Sequence, residues 1–80
     1  MNLKKAAYKG NIESMLKYAL KLAENKEEAN NIKESIFFIK KASDSGHLES
    51  IYNYGKIFFE GILVPVDLKK AAFYMKIAAN

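Results

Sequence analysis

Residues 40–55, KKASDSGHLESIYNYG, restate residues 4–19, KKAAYKGNIESMLKYA, at an offset of 36 positions. The offset holds to the last residue. Of the 44 pairs it aligns, 12 are identical, among them Lys4 with Lys40, Gly10 with Gly46, Glu13 with Glu49, Ser14 with Ser50, Tyr18 with Tyr54 and Phe37 with Phe73. Many other pairs are conservative, such as Ile12 with Leu48, Met15 with Ile51 and Ile32 with Leu68. A fixed period between 20 and 50 residues is the signature of a stacked array, in which each unit buries its apolar face against the next. The repeat therefore constrains the fold before any single residue does.

Within each unit the apolar spacing is helical. Ile51, Tyr54, Gly55, Phe58 and Ile62 recur at helix spacing and make one stripe, predicting a helix from about Leu48 to Glu60 that stops at Gly61. Asp67 is expected to cap a second helix with the stripe Leu68, Ala71, Ala72, Met75, Ala78 and Ala79. Repeat one gives the same pair: a helix from Ile12 to about Glu24, then one from Ile32 to about Ser43, with Asn31 as N-cap and Glu34 completing a near capping box. Gly10 and Gly46 stand where a helix ends in a left-handed residue, and Asn11 and His47 follow at N-cap positions. No alternation argues for strands, and Pro65 places the run from Ile62 to Val66 in a loop. The expected fold is all-α. It is a right-handed α/α superhelical solenoid of antiparallel helix pairs, with about two repeats of 36 residues after a leading half-helix. One repeat domain spans 1–80: residues 1–9 end a preceding unit, 10–45 form repeat one and 46–80 repeat two.

Charge narrows the partner. The net charge is +4, and all 13 basic residues are lysine. Arginine is the residue suited to bidentate phosphate and guanine contacts, so an all-lysine excess argues against nucleic acid. The N-terminus MNLKKAAYKG has no apolar core of a secretory signal, and the longest apolar run is far too short to span a membrane. With no cysteine, the chain reads as a soluble, cytoplasmic protein without disulfide or structural zinc.

The stretch GHLESIYNYGKIFFEGILVPVDLKKAAFYMKIAA resembles the Sel-one-like repeat, a relative of the tetratricopeptide repeat. Gly46, His47, Tyr52, Gly55, Phe58, Gly61, Val64, Pro65, Asp67, Lys70, Ala71, Tyr74, Ala78 and Ala79 fall on that family's pattern. Repeat one departs from it: Ala19 replaces the helix glycine, and NKEEANN replaces the Gly/Val/Pro loop. The resemblance implies a non-catalytic adaptor or scaffold that binds a partner protein or peptide. It also implies that the first helix of each unit lines a concave groove and the second forms the convex back.

Residues that could carry chemistry have plainer readings. His47 has no nucleophile or carboxylate at a helper's spacing and reads as a cap. Glu13 with Glu49, and Glu24 with Glu60, could pair as acids on neighbouring helices, but they read as solvated faces. IFFIKK and KIFFEG read as packing rather than a stacking platform. No enzyme, cofactor or metal site is expected. The helices divide by charge instead: residues 11–24 sum to zero and 47–60 to −1, whereas 1–9, 31–45 and 67–80 carry +3, +1 and +2. A near-neutral groove suits a peptide of mixed or basic charge, held by Glu13, Lys17, Leu20, Glu24, Glu49, Asn53, Lys56 and Glu60. The alternative is docking on an anionic surface (acidic protein, nucleic acid or lipid headgroups) through a convex column of Lys4, Lys40 and Lys76. The last helix lacks a polar outer face and is expected to expose Tyr74, Met75 or Ile77, which predicts a longer array or self-association there.

Overall fold

The computed structural model describes residues 2–25 and 27–79. Lys26 of the NKEEANN loop, Met1 and Asn80 lie outside the described residues. Five helices follow one another there: α1 (Leu3–Tyr8), α2 (Ile12–Ala23), α3 (Ala29–Asp44), α4 (Leu48–Glu60) and α5 (Leu68–Ala79), with no strand among the described residues. Each packs on the next in the chain, as antiparallel neighbours joined by short turns do. The Cα atoms extend 34 × 29 × 13 Å, a slab two helix layers thick.

Local chemistry sets the helix ends. Asn11 Oδ1 accepts the Ser14 amide at 2.9 Å, and Asp67 Oδ1 accepts the Lys70 amide at 3.1 Å, so both expected caps form. Gly10 and Gly46 take positive φ, 99° and 86°, at the turns into α2 and α4. His47 holds the N-cap position of α4, but its ring reaches the Ser50 hydroxyl (Nδ1 to Oγ 2.7 Å) rather than a backbone amide. The start of α3 differs from expectation. The helix begins at Ala29, three residues before Ile32, and the cap position is Glu28, which makes no side-chain cap bond. The amides of Asn31 and Ile32 both donate to the Glu28 carbonyl, at 3.0 and 3.3 Å, so Asn31 is already inside the helix and caps nothing. The exposed first turn leaves its remaining amides to water, and no capping box is required.

The core joins Ala7, Met15, Leu16, Ala19, Phe38, Ile39, Ala42, Tyr54 and Ile57. Phe38 lies at its centre, met edge-on by Tyr8 (centroids 5.1 Å) and Tyr18 (5.6 Å). The equivalent of this pair in repeat two is Tyr74 on Tyr54, at 4.8 Å. Ser35 bonds the Ala19 carbonyl across the α2–α3 contact. At the matching α4–α5 contact, a Cβ on Gly55 would lie 3.0 Å from Tyr74 Cβ and 3.1 Å from the Met75 amide nitrogen.

Two stripes are corrected by neighbours that sequence spacing does not contain. The helix α4 packs on both α3 and α5, so Ile57 is buried beside Ile51 and Tyr54, while Phe58 is half-buried. Ile62 leaves the stripe altogether, because the left-handed Gly61 (φ 68°) turns the chain before it. On α5 the packed face is Ala71, Tyr74, Met75 and Ala78, whereas Leu68, Ala72 and Ala79 are exposed. Tyr74 is drawn inward by the Tyr54 and Phe58 rings. Of the three residues expected on the outer face, Tyr74 and Met75 are half-buried and Ile77 is exposed, together with Phe73.

Candidate functional site: the groove between α2 and α4

Both helices follow one design. Glu13, Lys17, Leu20 and Glu24 recur at helix spacing on α2 and its C-cap, and Glu49, Asn53, Lys56 and Glu60 do the same on α4. The buried Met15 and Ala19 on α2 and Ile51 and Tyr54 on α4 anchor the packed faces, while the buried Leu16 and Ile57 reach the groove floor. All eight predicted positions are exposed except Asn53, which is half-buried. Its amide donates to the Glu49 carbonyl at 2.8 Å.

Two adjoining concavities bring seven of the eight together. The first, about 240 Å³, is lined by Glu13, Leu16, Lys17, Leu20, His47 and Glu49. The second, about 230 Å³, is lined by Leu20, Asn53, Lys56, Ile57, Glu60 and the loop residues Ile62 and Leu63, with Ala23 and Ile39 beneath. Leu20, 41% exposed, is shared by both. Glu24 lines neither. Each hollow is smaller than the roughly 300–1,000 Å³ of a small-molecule site, and fits one side chain of a longer ligand. Apolar floors under mixed-charge rims can seat aliphatic side chains and orient a chain by its charges.

Sequence reasoning missed His47, Ile62 and Leu63 as groove residues. For His47 the signal was available: it opens α4 two residues before Glu49, on the turn that faces α2. The loop residues gave none, since their position depends on the Gly61 turn and on the Asp67 amide bonding back to the Phe58 carbonyl at 3.0 Å.

The other face is basic. Lys4 on α1, Lys40 on α3 and Lys76 on α5 are all exposed, and Lys40 pairs with Asp44 at 3.5 Å. On the flank of α3 beside Lys33, Glu34 accepts hydrogen bonds from the Tyr8 hydroxyl and from Tyr18, the latter at 3.5 Å. The Tyr8 hydroxyl is held above its ordinary pKa, first by that bond. Tyr18 is raised first by burial and then by the Glu34 charge. Tyr54 is raised first by burial. Among the described residues, no group of three or more His, Cys, Asp or Glu side chains is placed to hold a metal ion. Nor is any helix there long and apolar enough to cross a membrane.

Neither the curated proteins nor the solved structures yield a match to this chain. The family model of the Sel1 repeat matches residues 13–47 and again 48–80. Sel1 repeats are in general protein–protein interaction modules, a family of non-catalytic interaction repeats. The first matched stretch takes in nearly all of α2 with α3, and the second α4 with α5. Both helix pairs are thus Sel1 units in direct succession, and the chain belongs to the Sel1 repeat family.

Proposed function

We propose that the groove between α2 and α4 binds an extended segment of a partner protein, making the chain a non-catalytic adaptor module. The observation that carries this reading is Leu20. Leu20, 41% exposed, stands at the junction of two side-chain-sized hollows and offers an apolar contact to either. Around it, Glu13 and Glu49 make one end of the groove acidic, tempered by Lys17, while Lys56 and Glu60 balance at the other. The segment that fits has an aliphatic side chain for the Leu20, Ile57 and Leu63 floor and a basic side chain toward Glu13 and Glu49. A peptide library displayed on phage, selected against the 80-residue chain, tests this. Enriched peptides are expected to share that pattern and to bind at least tenfold more weakly to Leu20→Asp, roughly the loss of one buried aliphatic contact. Binders indifferent to Leu20→Asp, or shifting amide signals only outside α2 and α4, would sink the reading.

A further inference from the structure

On the opposite face the two repeats share an arrangement that packing does not explain. Phe37 and Phe73, equivalent across the repeat, are 55% and 59% exposed. Each meets the ring of the residue after it in the same way: Phe37 on Phe38 at 5.2 Å and 78°, Phe73 on Tyr74 at 5.2 Å and 80°. Each is bracketed on its own helix face by exposed lysines four residues before and three after, Lys33 and Lys40 on α3, Lys69 and Lys76 on α5. All three positions are identical in the two repeats, although none is needed for the core. Lys41 stands 5.8 Å from the Phe37 ring centre, and in its place beside Phe73 is the exposed Ile77. Asp44, paired with Lys40, is the one acidic side chain lining the hollow around Phe37, Lys40 and Lys41.

We infer that this face docks on the anionic headgroup surface of a lipid bilayer, with Phe37 and Phe73 entering the interface and the lysines engaging the headgroups. Charge complementarity supplies the attraction: Lys4, Lys5, Lys33, Lys40, Lys41, Lys69 and Lys76 are exposed on α1, α3 and α5, while Lys70 turns over the Phe58 ring of α4. A lysine near such a surface strengthens binding roughly fivefold. The phenylalanines select among anionic partners. An aromatic ring gains by entering the headgroup–acyl boundary, where flexible lysine stems let the ammonium groups stay at the headgroups while the ring sits deeper. A phosphate backbone offers such a ring no comparable apolar medium, and the absence of arginine removes the bidentate contacts that nucleic acid favours. The repetition itself points the same way. The same Lys–Phe–Lys pattern on the second helix of each repeat suits a chemically uniform surface better than a partner with one shaped epitope. This surface is separate from the α2–α4 groove and does not depend on it.

The test is flotation of the 80-residue chain with vesicles of equimolar phosphatidylserine and phosphatidylcholine, against pure phosphatidylcholine vesicles and a double-stranded oligonucleotide. Binding is expected to the anionic vesicles alone and to fall as salt rises. The double variant Phe37→Ser/Phe73→Ser, with helicity unchanged by circular dichroism, is expected to bind roughly tenfold more weakly or worse. The chain has no tryptophan, so Phe37→Trp is a single reporter whose emission is expected to shift blue on the anionic vesicles. Absence of vesicle binding, serine variants that bind as the parent does, no blue shift, or an oligonucleotide bound as tightly as the vesicles would each overturn the inference.

Discussion

Ser35 donates its hydroxyl to the main-chain carbonyl of Ala19 over 2.8 Å, with both residues fully buried where α3 crosses α2. At the equivalent crossing in repeat two, Ala71 stands for Ser35 and Gly55 for Ala19. One crossing is fastened by a hydrogen bond around a methyl group. The other is closed by bringing Tyr74 and Met75 onto a helix with no side chain at that position. The two repeats therefore hold the same helix pair together by different means.

The exchange of these residues is expected to destabilise the chain in both directions. In Gly55→Ala the new methyl would sit 3.0 Å from Tyr74 Cβ and 3.1 Å from the Met75 backbone nitrogen, neither of which can move without shifting α5. Overpacking costs about 1–3 kcal/mol and outweighs the roughly 1 kcal/mol that alanine gains in a helix. In Ala19→Gly the same propensity is lost and a fully buried methyl leaves a void, for a loss of about 1–2 kcal/mol. Ser35→Ala, which copies repeat two, is expected to cost only about 1 kcal/mol. Urea denaturation followed by circular dichroism measures all three. A Gly55→Ala chain at least as stable as the parent would contradict the close approach of α5.

Gly61 links fold to groove. Its φ of 68° is strained for any L side chain, and a Cβ there would lie 2.3 Å from Val66 Cγ2. Gly61→Ala is expected to cost about 2 kcal/mol or more, of which the left-handed backbone accounts for about 1–2. Adding Val66→Ala should recover the steric part and leave the backbone part, so the two changes are expected to be non-additive in a double-mutant cycle. Because this turn delivers Ile62 and Leu63 to the second hollow, Gly61→Ala should also weaken groove peptides. Equal, additive losses would show that Val66 does not close over Gly61.

Alkaline pH probes the aromatic clusters. Tyr8, Tyr18 and Tyr54 all have pKa values raised above the ordinary 10.0, by the Glu34 hydrogen bond at Tyr8 and by burial at the other two. The folded chain thus keeps phenolic protons at a pH where the unfolded chain has lost them. The associated stability is complete below pH 10.0 and is lost as pH climbs through the raised folded values. Urea midpoints are expected to hold up to that pH and then fall, with Tyr54→Phe flattening the decline. Stability that rose above pH 10.0 would reverse the assignment.

Much of this architecture was legible in residues close together along the chain. The turn glycines at Gly10 and Gly46 and the caps Asn11 and Asp67 act within a few positions, and each forms as expected. The spacing of Glu13, Lys17 and Leu20, and of Glu49, Asn53 and Lys56, likewise placed them on the sides of α2 and α4 that line the groove. These are properties of a single helix, for which 3.6 residues per turn is enough to say which side chains share a face.

What spacing could not supply is which side of a helix its neighbours would cover. Tyr74 turned inward and Leu68 outward because the rings of Tyr54 and Phe58, 16 to 20 positions earlier in the chain, offered a partner on one flank of α5. Ile57 became core because α4 lies between two helices, and α3 started early because its first amides found the Glu28 carbonyl. The loop residues Ile62 and Leu63 joined the groove only when Gly61 folded them back. Helical periodicity is local, and the chain carries it at every point. Burial depends on surfaces that meet only after the helices have packed, so it was the assembled solenoid that chose among faces the sequence had left equivalent.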